Sequence, residues 1–135
     1  MSAETNIQTI QKAYAAFSRG DLPAVLDAFA DDIQWITPGN NALAGERNGK
    51  EEVTGFFRTL AEQWEFLAFE PGEYIPGGDR VVVLGRYEVR SRQTGRVAAS
   101  HWAMVWTFRD GKAIHFQEYI DTSSLEAAQA ASSVS

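Results

Sequence analysis

The stretch Trp102-Ala103-Met104-Val105-Trp106-Thr107-Phe108-Arg109-Asp110-Gly111-Lys112-Ala113-Ile114-His115-Phe116-Gln117-Glu118-Tyr119-Ile120 decides the fold. Two runs with period-two alternation flank a short turn, the pattern of half-buried antiparallel strands. Trp102, Met104, Trp106 and Phe108 make one apolar face, answered by Ile114, Phe116 and Ile120, and a single carboxylate, Glu118, breaks it. The turn at Arg109-Asp110-Gly111 admits two lengths. A two-residue loop would set Trp106 against His115 and split the bulky set over both sides of the sheet. A three-residue loop pairs Phe108 with Lys112, Trp106 with Ile114, Met104 with Phe116 and Trp102 with Glu118. A slip of one residue sends every side chain to the opposite face, so the expected register is the three-residue one, which gathers the apolar residues. Glu118 then points into an aromatic wall opposite Trp102. A carboxylate so placed is either tethered to a buried donor or chemically useful.

Working outward, Val81 to Arg90 reads as a strong strand, and Phe69 to Ile75 as a weak one interrupted by Pro71 and Gly72. Turns at Pro76-Gly77-Gly78 and Gln93-Thr94-Gly95 join them into an antiparallel sheet. Upstream the period changes. Val53, Phe56, Phe57, Leu60, Trp64 and Leu67 form the stripe of a long helix, with Asn48 and Glu51 spaced as a capping box. Ile33, Trp35 and Thr37 alternate in a first strand closed by Pro38, and the polar stretch to Gly49 reads as a loop. Ile7, Ile10, Tyr14 and Phe17 mark a first helix ending at Gly20. Asp21 and Pro23 open a second helix with the stripe Leu22, Val25, Leu26 and Phe29. Thr122 or Ser123 caps a short helix through Leu125 and Gln129. The expected organisation is one domain over residues 1–130 with a frayed tail at 131–135. The fold class is α+β: a curved antiparallel sheet wrapped around a long helix, with an N-terminal helical hairpin.

At 135 residues, with 44% hydrophobic residues and 8 Phe, 4 Tyr and 4 Trp, the chain supports one core. A net charge of −6 leaves no basic face for phosphates, so nucleic acid is not an expected partner. The absence of cysteine excludes disulfides, thiol nucleophiles and thiolate metal sites. Residues 1–11 show neither a basic start nor an apolar run, and no segment reaches membrane-spanning length. A cytoplasmic protein without membrane contact is expected.

The element order, with Tyr14-Ala15-Ala16-Phe17-Ser18-Arg19-Gly20-Asp21, Phe29-Ala30-Asp31-Asp32, Phe108-Arg109-Asp110-Gly111-Lys112 and Glu118-Tyr119-Ile120-Asp121, resembles the SnoaL-like branch of the nuclear-transport-factor-2-like superfamily. The resemblance implies a cystatin-like cone in which the sheet encloses a pocket, as in ketosteroid isomerases, limonene epoxide hydrolases and polyketide cyclases. It also implies a homodimer formed through the outer sheet face. The ketosteroid isomerase base falls on Thr37 and its oxyanion donors on Ala13 and Met104, so classical steroid isomerisation is not expected. The epoxide hydrolase set falls on Gly85, Tyr87 and Glu118. The cyclase acid/base group falls on Glu118 and its histidine on Met104.

Glu118 is therefore the candidate catalytic residue, its pKa expected to rise on burial. Tyr14, Trp35, Thr37, Gly85, Tyr87, Trp102, Met104, Trp106, Phe116 and Ile120 are candidate ligand contacts, with Gly85 expected to leave space in the cone. His101 and His115 fall on the outer face, away from Glu118, and no metal or organic cofactor is expected. Asp31 and Asp32 read as solvated turn carboxylates, and Asp121 as a helix cap. The expected function is a cofactor-independent isomerase, cyclase or hydrolase moving a proton on a small apolar or aromatic substrate with a carbonyl or epoxide. The alternatives are a non-catalytic ligand-binding module and an association domain using the outer sheet face.

Overall fold

The computed structural model describes residues 3–130, and the tail expected at 131–135 lies outside the described residues. Helix α1 (Ala3–Ser18) buries Ile10, Ala13 and Tyr14 on one face and is followed by Gly20 at φ 73°. The short α2 (Leu22–Leu26) starts where the Asp21 carboxylate accepts the Ala24 N–H at 3.2 Å, with Pro23 in its first turn. Strand β1 (Phe29–Thr37) begins four residues before the expected Ile33. Phe29, placed by its spacing in the helical stripe, instead pairs with Ala113, because a bridge to the sheet and a 1%-exposed ring outweigh one more helical turn.

The polar stretch after Pro38, read as loop, ends in an edge strand, β2 (Gly45–Asn48), antiparallel to β1. Helix α3 (Gly49–Gln63) follows. Its Asn48 side chain makes no capping bond; Glu52 rather than Glu51 reaches back, accepting the Asn48 N–H at 2.7 Å. The helix ends before Trp64, so the apolar stripe through Leu67 overran it. Trp64 is extended, pairs with Ser91 and is buried, whereas Leu67 is exposed. Strand pairing here overrides helical periodicity.

Strands β3 (Trp64–Gly77), β4 (Arg80–Ser91), β5 (Val97–Arg109) and β6 (Lys112–Ile120) complete a curved, unclosed sheet in the order β2-β1-β6-β5-β4-β3. Neighbours are antiparallel except β1 and β6, which run parallel, a correction to the all-antiparallel sheet. Helix α4 (Thr122–Gln129) is capped by Asp121, which accepts the Ser124 N–H at 3.2 Å. The core lies between the inner sheet face and the helices α1 and α3. Trp35 stands 5.3 Å from Phe56 of α3, and Tyr14 of α1 stands 6.2 Å from Trp106, centroid to centroid. Among the described residues no helix is long and apolar enough to cross a membrane.

The β5–β6 turn holds two residues, not three: Arg109 pairs with Lys112, and Asp110 and Gly111 both have positive φ, 53° and 80°. Such primed turns match strand twist. The split of the apolar set that a two-residue loop would cause is prevented by a bulge. Phe108 faces Ala113, Thr107 faces His115, and Ile114 is the extra residue. Beyond it Trp106 faces Phe116, Met104 faces Glu118 and Trp102 faces Ile120. Glu118 keeps the expected inner face, but its cross-strand neighbour is Met104 rather than Trp102.

Gly85 opens no space. A Cβ built there would fall 2.4 Å from Trp102 Cζ2 and 2.6 Å from the Glu70 carbonyl oxygen, so the indole of Trp102 fills the place of the missing side chain. Gly85→Ala is expected to lower stability by about 1–3 kcal/mol through overpacking. Urea unfolding checks this; an unchanged midpoint would show that Trp102 moves freely.

Candidate functional site

Beyond the Ile114 bulge, β6 turns Phe116, Glu118 and Ile120 toward the helices, where they border a cavity of about 100 Å³. Trp35 stacks on Phe116 at 3.8 Å between centroids and 23° between planes, which fixes one wall. Tyr14 from α1 reaches across to β5. Trp106 Nε1–H donates to the Tyr14 oxygen at 3.0 Å, and the Tyr14 hydroxyl donates to Met104 Sδ at 3.2 Å. Tyr87 of β4 brings a second phenol, 5% exposed. Pro38, Asn41 and Leu43 border the cavity from the loop after β1, where Leu43 O accepts from both the Thr37 hydroxyl and Arg47 Nη1. Arg47 also lies 5.1 Å from the Phe56 ring centroid, so the cation braces the loop against α3.

Glu118 is hemmed in by protein, and the surface it retains borders the cavity. Among the described residues no hydrogen-bond donor or cation engages its carboxylate. Burial disfavours the charged form and pushes its pKa from 4.5 up to about 7. Burial also drives both phenols well above the ordinary tyrosine value. The Glu118 charge adds in the same direction, and the Trp106 hydrogen bond to Tyr14 opposes it. Glu118, Tyr14 and Tyr87 thus form one electrostatic group in an otherwise apolar cavity: a carboxyl able to take or give a proton near neutrality, beside two neutral donors.

Of the expected contacts, Tyr14, Trp35, Thr37, Tyr87, Met104, Trp106, Phe116 and Ile120 border the cavity with Glu118. Gly85 and Trp102 do not. They border an open groove that reaches the outer sheet face, because Trp102 lies over Gly85 and stacks on Phe69 at 5.2 Å and 14°. Thr37 is 5% exposed, and its hydroxyl is committed to Leu43. The spacing of residues did not single out Asn41 and Leu43 from the loop, or Trp64, Phe66 and Phe69 from β3, as cavity residues. In β3, Trp64 lies in the series read as the long helix and Phe69 in the weak strand, and Phe66 belongs to neither. For the loop no sequence signal exists, because its place depends on the two donors to Leu43 O. His101 and His115 lie on the outer face, and no group of His, Asp and Glu among the described residues could hold a metal ion. Asp32 pairs with Arg109 at 3.1 Å and Asp31 with Lys50 at 3.7 Å, both at the surface.

Residues 10–116 match the SnoaL-like domain family. An NTF2-like protein of unknown function from Burkholderia pseudomallei is 36% identical and superposes with a TM-score of 0.88, over 97% of this chain and 100% of that one. TerC, co-crystallized with polyporic acid, is 30% identical with a TM-score of 0.84, over 92% of this chain and 97% of that one. An uncharacterized protein of Mycobacterium tuberculosis is 26% identical over 127 residues, 93% of this chain and 97% of its own length.

The raised pKa of Glu118 has a consequence for folding. The native state favours the protonated carboxyl, so the stabilisation is fully present below pH 4.5 and is lost as pH rises through about 7. The loss is on the order of 3 kcal/mol for this group. In denaturant titrations between pH 4.5 and 8, Glu118→Gln is expected to flatten that decline. A native slope that survives the substitution would assign it to other groups.

Proposed function

The chain belongs to the SnoaL-like family, and from that premise we propose that it is a small-molecule enzyme in which Glu118 transfers a proton on an apolar substrate bearing a carbonyl or epoxide oxygen. The observation that carries this reading is the Glu118 carboxyl itself, without a donor among the described residues and with a pKa of about 7. A structural carboxylate would be held by donors and stay acidic. Acting as a base, the carboxylate removes a proton from carbon beside a polarised oxygen, and Tyr14 or Tyr87 orients that oxygen. Returning the proton elsewhere gives isomerisation, and ring closure gives cyclisation. The cavity of about 100 Å³ limits the enclosed part of the ligand to a compact group.

A second reading, a binding module without turnover, is favoured by Thr37 and Met104. The steroid isomerases carry their base at the first position, and the cyclases carry a histidine at the second. Here Thr37 is bonded to Leu43, and Met104 accepts from Tyr14. A thermal-shift screen of flat hydrophobic compounds, followed by turnover assays on the hits, separates the two. Under the enzymatic reading kcat/KM rises with pH through an apparent pKa near 7, and Glu118→Gln lowers kcat about 10²- to 10⁴-fold while binding persists. Turnover that persists in Glu118→Gln contradicts the proton-transfer role. Binding with no turnover in the native chain supports the module.

We also propose, following the family resemblance, that the outer sheet face receives a second copy of the chain. Leu84 and Tyr119 supply apolar surface there, 37% and 56% exposed. Light scattering is expected to give twice the chain mass of 14.9 kDa, and Tyr119→Glu to give the monomer. A native monomer at micromolar concentration contradicts this.

A further inference from the structure

The walls of the cavity are not all held alike. Strand pairing and a shared core hold the sheet, α1 and α3. The loop after β1 is pinned from several sides. Leu43 O takes the Thr37 hydroxyl and Arg47 Nη1, Arg47 Nη2 donates to Ala42 O at 3.1 Å, and the guanidinium lies over Phe56. Another part of the wall is α4, which sends Leu125 to the cavity and buries Leu125 and Ala128. Its 8 residues are too few for a helix that is stable alone, so docking keeps it in place. Among the described residues, polar ties reach its body at three points: Glu126 Oε2 accepts the Asn40 N–H at 3.2 Å, Ala128 O accepts the Thr94 hydroxyl at 2.5 Å, and Gln129 Nε2 donates to Gln63 Oε1 at 3.0 Å. The helix therefore spans from the pinned loop to the end of α3. Its first end is held more firmly. Asp121 accepts the Ser124 N–H at 3.2 Å and the hydroxyls of Ser123 and Ser124, while its own N–H donates to Ser100 Oγ at 3.1 Å.

We propose that α4 is the gate of the cavity: it turns about Asp121, withdraws Leu125 and is latched shut by Glu126 on the Asn40 N–H. The inference rests on the reading of this cavity as the ligand site and adds the route by which a ligand enters. Opening breaks the ties to Asn40, Thr94 and Gln63 and exposes Leu125 and Ala128, yet every strand pair survives it. Such a local opening costs less free energy than unfolding the chain. The loop stays in place, because its bonds to Thr37 and Arg47 take no part. Two indoles report the gate. Trp35 and Trp64 border the cavity, and their Nε1–H groups are shielded from solvent without a hydrogen-bond partner. Trp102 Nε1–H is equally shielded and unpaired, but Trp102 borders the outer groove and not the cavity. With no hydrogen bond to break, exchange of each indole hydrogen waits only for water to arrive.

The test follows exchange of the indole hydrogens into D2O by NMR, without ligand, on the full native chain, Glu126→Ala and Leu125→Ala. In Glu126→Ala, Trp35 and Trp64 are expected to exchange about fivefold faster, the factor that one ordinary hydrogen bond carries. In Leu125→Ala, which removes the buried side chain, the gain is expected to be about tenfold or more. Trp102 is expected to keep its native rate in Glu126→Ala. Should Leu125→Ala fail to fold, Glu126→Ala decides alone, since it removes a bond at the surface. Unchanged rates at Trp35 and Trp64 in Glu126→Ala overturn the inference, and so does an equal rise at Trp102, which would mark general loosening. A rise at Trp64 alone overturns it as fraying of one end. Native exchange as fast as that of free tryptophan overturns it too, because the cavity would already stand open. No ligand enters this test, so its outcome is separate from the Glu118→Gln turnover assay. Faster exchange in Glu126→Ala beside turnover retained in Glu118→Gln would keep the gate and sink proton transfer by Glu118. Unaltered exchange beside turnover lost in Glu118→Gln would do the reverse.

Discussion

One extra residue in β6 decides what the inside of this protein contains. The two-residue Asp110-Gly111 turn, unmodified, would send Phe116 and Glu118 outward and bring His115 in. The bulge at Ile114 shifts the pairing by one, and every residue beyond it changes face. The aromatic wall of Trp35, Phe116 and Trp106 closes only because of that shift, with centroid distances of 3.8 Å for the first pair and 4.6 Å for the second. The same shift delivers a carboxylate to the cavity opposite Met104, where no group among the described residues supplies it with a donor. Packing and chemistry therefore share one cause. The apolar surface buried on this face stabilises the register, and the register holds Glu118 where isolation costs free energy.

That cost sets the electrostatics of the site. A carboxyl given a donor would remain an ordinary surface-like acid, and one exposed to solvent would be ionised at neutral pH. Glu118 is neither, and desolvation alone brings its titration to about pH 7. The neighbouring tyrosines respond to its charge but do not neutralise it, since a buried phenol stays protonated. The result is a cavity with one titrating group and several fixed donors. This division suits a site in which one group moves a proton and others hold an oxygen.

Much of the fold was legible in the sequence, for a physical reason. Alternation in β4, β5 and β6 and the stripe in α1 report the face each residue buries, and those faces are as expected except at the start of β6, where Ala113 takes the buried place expected of Ile114. Misreadings cluster where one apolar series serves two periods. Trp64 and Leu67 continue the spacing of α3, yet Gln63 ends the helix because Trp64 finds a strand partner in Ser91. Phe29 continues the spacing of α2, yet pairs with Ala113. The inner-face position of Glu118 was legible; its neighbour was not, because a bulge leaves no composition signature. Gly85 shows the limit of reading an absent side chain. The sequence reveals that space exists at that position, but only the fold reveals that Trp102 occupies it. The missing hydrogen bonds of Tyr87 and the resting of Tyr14 on Met104 lie beyond any pattern, since both depend on distances between residues remote in sequence.

The central claim is that Glu118 is an isolated, uncompensated carboxyl inside an apolar cavity. Carbon-13 NMR of the glutamate side-chain carboxyl groups, with Glu118 assigned by comparison with Glu118→Gln, measures this directly as a function of pH. The account predicts a midpoint near 7 for that resonance. A midpoint at the ordinary glutamate value, near 4.5, would show that Glu118 is solvated or paired and would contradict the account.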